Sequence, residues 1–329
     1  MRPLAALALL ACGCGSSGGD GGGSSDLAVV PDFAGATATW QPRAAMPAAR
    51  QETAVAALDG KVYVLGGFDG TQTIVATVEA WDPATDRWST MPPLPAPLHH
   101  ANVATVAGKL YVVGAIKGAS FTAIGDSWSF DPAANAWSPR APMPAGSERG
   151  AAMIGVVDHK IYVAGGYRGG AVADFSVYDA DADSWSALPA LPSVRDHGVG
   201  ALVGGRFYAI GGRDSTPAAH VARVDAFDLV AGSWSAKTPL PTSRGGAAAG
   251  VLDGQIIVAG GEGNAGSPRG VFAAVERYDP AADQWSALPP MRTPRHGTGG
   301  AVVGRLFVVP GGADVQLYGA VDVVETITF

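Results

Sequence analysis

Two sets of side chains recur at fixed spacing and could do chemistry. Arg50, Arg149, Arg195, Arg244 and Arg295 each stand sixteen residues before a glycine pair or its equivalent. Were the five to converge, their guanidinium groups would grip carboxylates, because the planar fork pairs with them bidentately. The same side chains could instead brace backbone carbonyls between repeats. Beside them lie residues that differ from repeat to repeat: Glu52, His99, His100, Asp196, His197 and His296, which include four of the six histidines. These eleven residues are the candidate ligand-binding set. Imidazole and carboxylate together suit Zn, Cu or Ni. No H-x-x-x-H or H-x-H pair preorganises ligands, however, and His99 and His100, as neighbours on a strand, would face opposite ways. No metal and no other cofactor is therefore expected. A carboxylate beside Arg or His, as in Glu52 with Arg50 or Asp196 with His197, could serve acid/base work.

The elements that must position these residues form a repeat. An apolar run ends in a glycine pair, an aromatic follows on a second run, and a tryptophan stands seven residues later: Gly66-Gly67, Trp81 and Trp88 in one copy, Gly260-Gly261, Tyr278 and Trp285 in another. Six residues beyond each register tryptophan comes Met46, Leu94, Met143, Leu191, Leu240 or Met291. Each unit offers four short alternating runs, enough for one small antiparallel sheet. Asp59-Gly60, Asp253-Gly254 and Gly204-Gly205 join the first two runs and favour primed hairpin turns.

The two ends of the chain complement each other. The last glycine pair is Gly311-Gly312 and the last run is Val321 to Phe329, so the final tryptophan strand is missing. At the other end, Thr37 to Gln41 carries Trp40, a register tryptophan with no unit of its own. The first strand is expected to complete the last sheet, a closure that leaves no sheet edge exposed.

The glycine pairs, the aromatic seven residues before tryptophan and the M-P-x-x-R turns together resemble kelch repeats over Thr37 to Phe329. The resemblance implies an all-β fold: a six-bladed β-propeller of four-stranded antiparallel kelch-type blades. It also implies that the arginine turns and the loops after the glycine pairs gather on one face around a channel. Phe68, Phe121, Tyr167 and Tyr318 on those loops could form a platform for a sugar or a peptide. Two units depart from the pattern. The second has Leu98 for the arginine and Ala115 for the second glycine, and the sixth carries Pro310 before its pair. Copper radical oxidases similar to galactose oxidase share the propeller but need a Cys-linked Tyr, and residues 37–329 contain no cysteine.

Residues 1–36 read differently. Arg2 and the apolar run Leu4 to Ala11, ending L-L-A-C, resemble a bacterial lipoprotein signal, which makes 1–11 the signal and Cys12 the lipidated first residue. Residues 12–36, rich in Gly and Ser at first, read as a tether to the propeller at 37–329. With a net charge of −7 and no Lys/Arg cluster, nucleic acid is not expected as a partner. No P-loop and no G-x-S-x-G elbow occurs. The expectation is a monomeric, non-catalytic binding module. It would be exported to the bacterial cell envelope, anchored in the membrane through Cys12, and would take a protein or glycan on its loop face. The alternative is a carbohydrate-modifying enzyme, such as a sialic-acid-type sugar epimerase or mutarotase, working at the channel mouth.

Overall fold

The computed structural model describes residues 38–214 and 219–329. The expected signal at 1–11 and the whole tether at 12–36 fall outside the described residues. Strands make up six four-stranded antiparallel sheets, and no helix occurs among the described residues. The third blade shows the plan: Met153–Val157, Lys160–Ala164, Phe175–Asp179 and Ser184–Leu188 pair in sequence order, with the fourth strand outermost. The sixth blade takes Ala301–Val303, Leu306–Pro310 and Val324–Thr328 from the C-terminal end. Its fourth strand is Gln41–Pro42, with Gln41 opposite Thr326 and Pro42 opposite Glu325.

Innermost strands are built of small residues because neighbouring blades nearly touch there. A Cβ added at Gly200 would lie 2.2 Å from the backbone nitrogen of Ile154, one blade away. At the outer end the tryptophans join blade to blade. The indole nitrogens of Trp88, Trp137, Trp185, Trp234 and Trp285 each donate to a carbonyl of the preceding turn, at Ala44, Pro92, Ala141, Pro189 and Thr238. Trp40 does the same to Pro289 at 2.8 Å. Its ring is buried edge-on against Phe307, with centroids 6.1 Å apart.

The glycine pairs have two physical reasons. Gly66 and Gly67 take φ of 59° and 94°, and a Cβ on Gly66 would sit 2.4 Å from the carbonyl oxygen of Leu98 in the next turn. The amide of Gly67 donates to that same carbonyl at 2.8 Å. In the second blade, where Ala115 replaces the second glycine, the strand runs on as Lys109–Lys117 and pairs with a long, irregular Thr122–Asp131. The carbonyl of Arg149, left without that amide, accepts instead from the side chain of buried Asn102 at 2.8 Å. Pro310 ends its strand opposite Val324, and the sixth blade keeps its register.

Candidate functional site

The site grows from one backbone position. Two residues beyond each arginine, or beyond Leu98 in the second blade, stand Glu52, His100, Ala151, His197, Gly246 and Gly297. All six have left-handed φ, between 50° and 64°. Each amide in this set donates to the carbonyl of the equivalent residue in the preceding blade. Glu52 donates to Gly297, His100 to Glu52, Ala151 to His100, His197 to Ala151, Gly246 to His197 and Gly297 to Gly246, at 2.5–3.1 Å. The six residues thus form a closed ring of hydrogen bonds around the channel. Glycine occupies this conformation at no steric cost, as at Gly246 and Gly297, whereas Glu and His pay a penalty there. The backbone alone does not call for Glu52, His100 or His197; their side chains need another reason, and strained positions of this kind cluster at functional sites.

Those three side chains meet. Glu52 Oε2 lies 3.0 Å from His100 Nε2, and the rings of His100 and His197 are 4.8 Å apart between centroids. One suitable ligand atom from each of Glu52, His100 and His197 falls within 4.8 Å of the others. His99 and His100 do not face opposite ways as expected, because the left-handed turn at His100 breaks the strand alternation. Their Nδ1 atoms are 2.6 Å apart.

One residue earlier in each blade the chain bridges to the residue just after the glycine pair: Gln51 to Phe68, His99 to Ile116, Gly150 to Tyr167, Asp196 to Arg213, Gly245 to Glu262, His296 to Ala313. This second layer brings Arg213 and Glu262 into the site. Neither stood among the eleven ligand-binding candidates, although both open loops after the glycine pairs, the elements expected to gather on this face. Asp196 Oδ1 takes hydrogen bonds from His197 Nδ1 at 2.7 Å and Arg213 Nε at 2.9 Å, and Arg213 Nη1 reaches Glu262 at 3.0 Å. His296 Nδ1 stands 3.8 Å from Glu52 and 3.7 Å from Glu262.

These groups floor a cavity of about 100 Å³ on the loop face, rimmed by Phe68, Phe121, Leu317 and Tyr318. Phe68 stacks near His99 at 4.4 Å and meets Tyr318 edge-on, while Leu317 and Tyr318 are exposed. Tyr167 extends the aromatic edge from Phe121. Beneath lies the channel, about 460 Å³, lined mainly by Ala, Gly and Val of the inner strands.

Burial works against the charge of Glu52, yet the charge and hydrogen bond of His100, with His296 and His197, hold its carboxyl well below the ordinary range. Glu262 and Asp196 are likewise depressed, against burial, by their His and Arg neighbours. His99 is lowered to about 4 by burial and by His100, and His197 is lowered by burial and Arg213.

The five arginines are arranged differently from a carboxylate-gripping funnel. All are buried, at 0–1% exposure, and none lines the channel or the mouth cavity. Four carry an internal counter-ion at 2.6 Å: Arg50 with Glu79, Arg195 with Asp225, Arg244 with Glu276 and Arg295 with Glu325. Other donors brace carbonyls, as Arg295 does at Val309 and Gly311, while the Nε atoms of Arg50, Arg149, Arg195 and Arg244 are buried without a hydrogen-bond partner. Arg149 has Ser176 where the others have an acid and bonds its hydroxyl at 2.8 Å. The pairing of Glu52 with Arg50 for acid/base work is therefore not made: Glu52 turns to His100, and Arg50 turns to Glu79.

Comparison with known proteins agrees with this repeat structure. The KLHDC2/KLHL20/DRC7 Kelch-repeats domain matches residues 13–191 and 140–312. A Kelch-like protein, terF, of Aspergillus terreus is 36% identical over 307 residues, which is 91% of this chain and 57% of that protein. The chain thus spans little more than half the length of this curated relative. The solved structure of YjhT superposes with a TM-score of 0.73 at 18% identity, covering 87% of this chain and 96% of the other, a likeness of fold. With six blades, five of them carrying the glycine pair, and the matched repeats, the chain belongs to the kelch-repeat β-propeller family.

Proposed function

We propose that the protein is a binding module of the bacterial cell envelope, tethered through a lipid on Cys12, that takes a glycan or a protein segment at the channel mouth. The observation that carries this reading is the pairing of a charged floor with an aromatic rim. Glu52, His100, His197 and His296 sit below Phe68, Phe121 and Tyr318, with Leu317 and Tyr318 exposed. Aromatic faces supply contact area at low entropic cost, and the polar floor supplies the orientation that such sites need. The cavity accepts one polar group, such as a sugar hydroxyl face or a side-chain tip, while the rim contacts what surrounds it. A glycan array together with pull-down from envelope fractions tests this. Wild-type protein should capture a ligand, and the double variant Leu317→Ser, Tyr318→Ala should lose it while melting unchanged. Capture that is the same in both would remove the loop face from the proposal.

A second reading is favoured by the Glu52–His100 and Asp196–His197 pairs, at 3.0 and 2.7 Å. A carboxylate and an imidazole in a buried mouth could move a proton, which would suit a sialic-acid-type sugar epimerase or mutarotase. NMR exchange between sugar anomers decides it. Acceleration by wild-type protein but not by Glu52→Gln supports catalysis, and no acceleration leaves binding alone.

A further inference from the structure

Three ring nitrogens at the mouth, His99 Nε2, His197 Nδ1 and His296 Nε2, each stand beside an oxygen that can only accept. The carbonyl of Gly118 lies 3.3 Å from His99 Nε2, so that nitrogen carries the proton and, in the neutral ring, His99 Nδ1 is an acceptor. His100 Nδ1 stands 2.6 Å from it and must donate. That leaves His100 Nε2 facing Glu52 Oε2 at 3.0 Å, one lone pair against another unless a cation or a proton lies between. His197 is held in the same way. Its Nδ1 donates to Asp196 Oδ1 at 2.7 Å, which leaves Nε2 without a proton, with Arg213 Nη2 at 2.9 Å as its neighbour. His296 Nε2 donates to the carbonyl of Val315 at 3.1 Å, so its Nδ1 is bare as well, opposite Glu52 and Glu262.

We propose that Glu52, His100 and His197 form a site for a divalent transition-metal ion at the centre of the propeller's loop face. The donor set is two imidazole nitrogens and one carboxylate, which suits Zn²⁺, Ni²⁺, Cu²⁺ or Fe²⁺ more than Mg²⁺ or Ca²⁺. Neighbouring ligand atoms around an ion with bonds of roughly 2.0–2.2 Å stand about 3 Å apart, the separation already found between His100 and Glu52. Each histidine has the outer partner that orients a metal-bound imidazole, His99 for His100 and Asp196 for His197. The three ligands come from blades one, two and four, and the ring of backbone hydrogen bonds holds all three in place. Arg213 Nη2 is the nearby cation, 2.6 and 2.9 Å from the two nitrogens of His197. Being nearly equidistant, it lies beside the ring between them, off the axis of either lone pair, and its charge is met by Asp196 and Glu262. The site is independent of any ligand on the rim, and its test uses none.

The full-length chain, stripped of metal by chelator, is dialysed against Zn²⁺ and its metal content measured. One Zn²⁺ per chain is expected. His100→Gly and His197→Gly should each weaken uptake at least tenfold without unfolding, since Gly246 and Gly297 hold the same backbone conformation. Asp196→Asn should weaken it by about 10–100-fold, as removal of an orienting partner does. His159→Ala, at an exposed pair with Asp181, should change nothing. Co²⁺ added to wild-type protein gives a readout that needs no substitution, a visible d–d absorption from nitrogen and oxygen ligands. Absence of stoichiometric Zn²⁺ at tens of micromolar with no Co²⁺ absorption would overturn the proposal, as would full uptake by the double variant His100→Gly, His197→Gly.

Discussion

At the scale of single residues, the five blade arginines carry an internal control. Four have a carboxylate at the second residue of the third strand, and the third blade has Ser176 there, leaving Arg149 a buried cation without a bonded counter-ion. Removing one member of a buried pair is costly because the other charge stays behind. Arg295→Ala, which strands Glu325, should therefore lower stability by about 3–5 kcal/mol in urea unfolding. Ser176→Glu should do the opposite, raising it by about 1–3 kcal/mol, since it borders an open cavity and meets a waiting guanidinium. Equal and small effects from both would contradict the pairing scheme. His99 predicts a pH effect. Its folded pKa of about 4 lies below the ordinary value of 6.5, so in that window the unfolded chain binds a proton that the folded chain does not. Stability should fall as pH drops from about 6.5 to 4, by on the order of 3 kcal/mol, and His99→Gln should flatten that part of the melting profile. The positions of these residues were legible in the repeat spacing, but the direction each side chain takes was not. The same turn sends an arginine inward to its blade and, two residues later, a Glu or His toward the axis. Only the left-handed φ between them separates the two, and Glu52 and His100 are not residue types that announce it.

At the scale of the element, the unit of stability is the blade, and the sixth blade is made from both ends of the chain. Counting six of each of the first three strand types but five tryptophan strands besides Trp40 was enough to place Trp40, because the seven-residue register fixes where a missing strand would fall. Trp40 is buried at 4% exposure, donates to Pro289 and packs on Phe307. Trp40→Ala should cost about 3–5 kcal/mol, whereas a chain trimmed through Ser25 should unfold like the parent. A chain beginning at Ala44 should lose that stability and aggregate, since Val324–Thr328 then becomes an open edge. Unchanged melting and a monomeric elution of this truncation would remove Gln41–Pro42 from any structural role. The second blade was harder to read. Ala115 and Leu98 looked like defects, and the compensation comes from Asn102, a residue with no counterpart in the repeat pattern.

At the scale of the whole molecule, no helix among the described residues is long and apolar enough to cross a membrane. The attachment we propose is a lipid on Cys12. Two or more acyl chains hold a protein stably where one does not. Cys12→Ser should therefore move the protein from the membrane pellet to the soluble fraction, and mass spectrometry of the wild-type N-terminus should show the added lipid. A variant that still pellets with membranes would end the anchor proposal. The hydrogen-bonded ring at the mouth has one more consequence. Because backbone amides and carbonyls alone close it, the ring keeps one geometry under Glu, His, Ala and Gly alike, at a steric cost for every residue but glycine, and the present spelling is Glu, His, Ala, His, Gly, Gly. The ring behaves as a six-letter word written on a fixed wheel, with two adjacent blanks at Gly246 and Gly297. New letters there would change what the mouth recognises without redesigning a blade, so specificity can drift in evolution, or be rewritten in the laboratory, one spoke at a time.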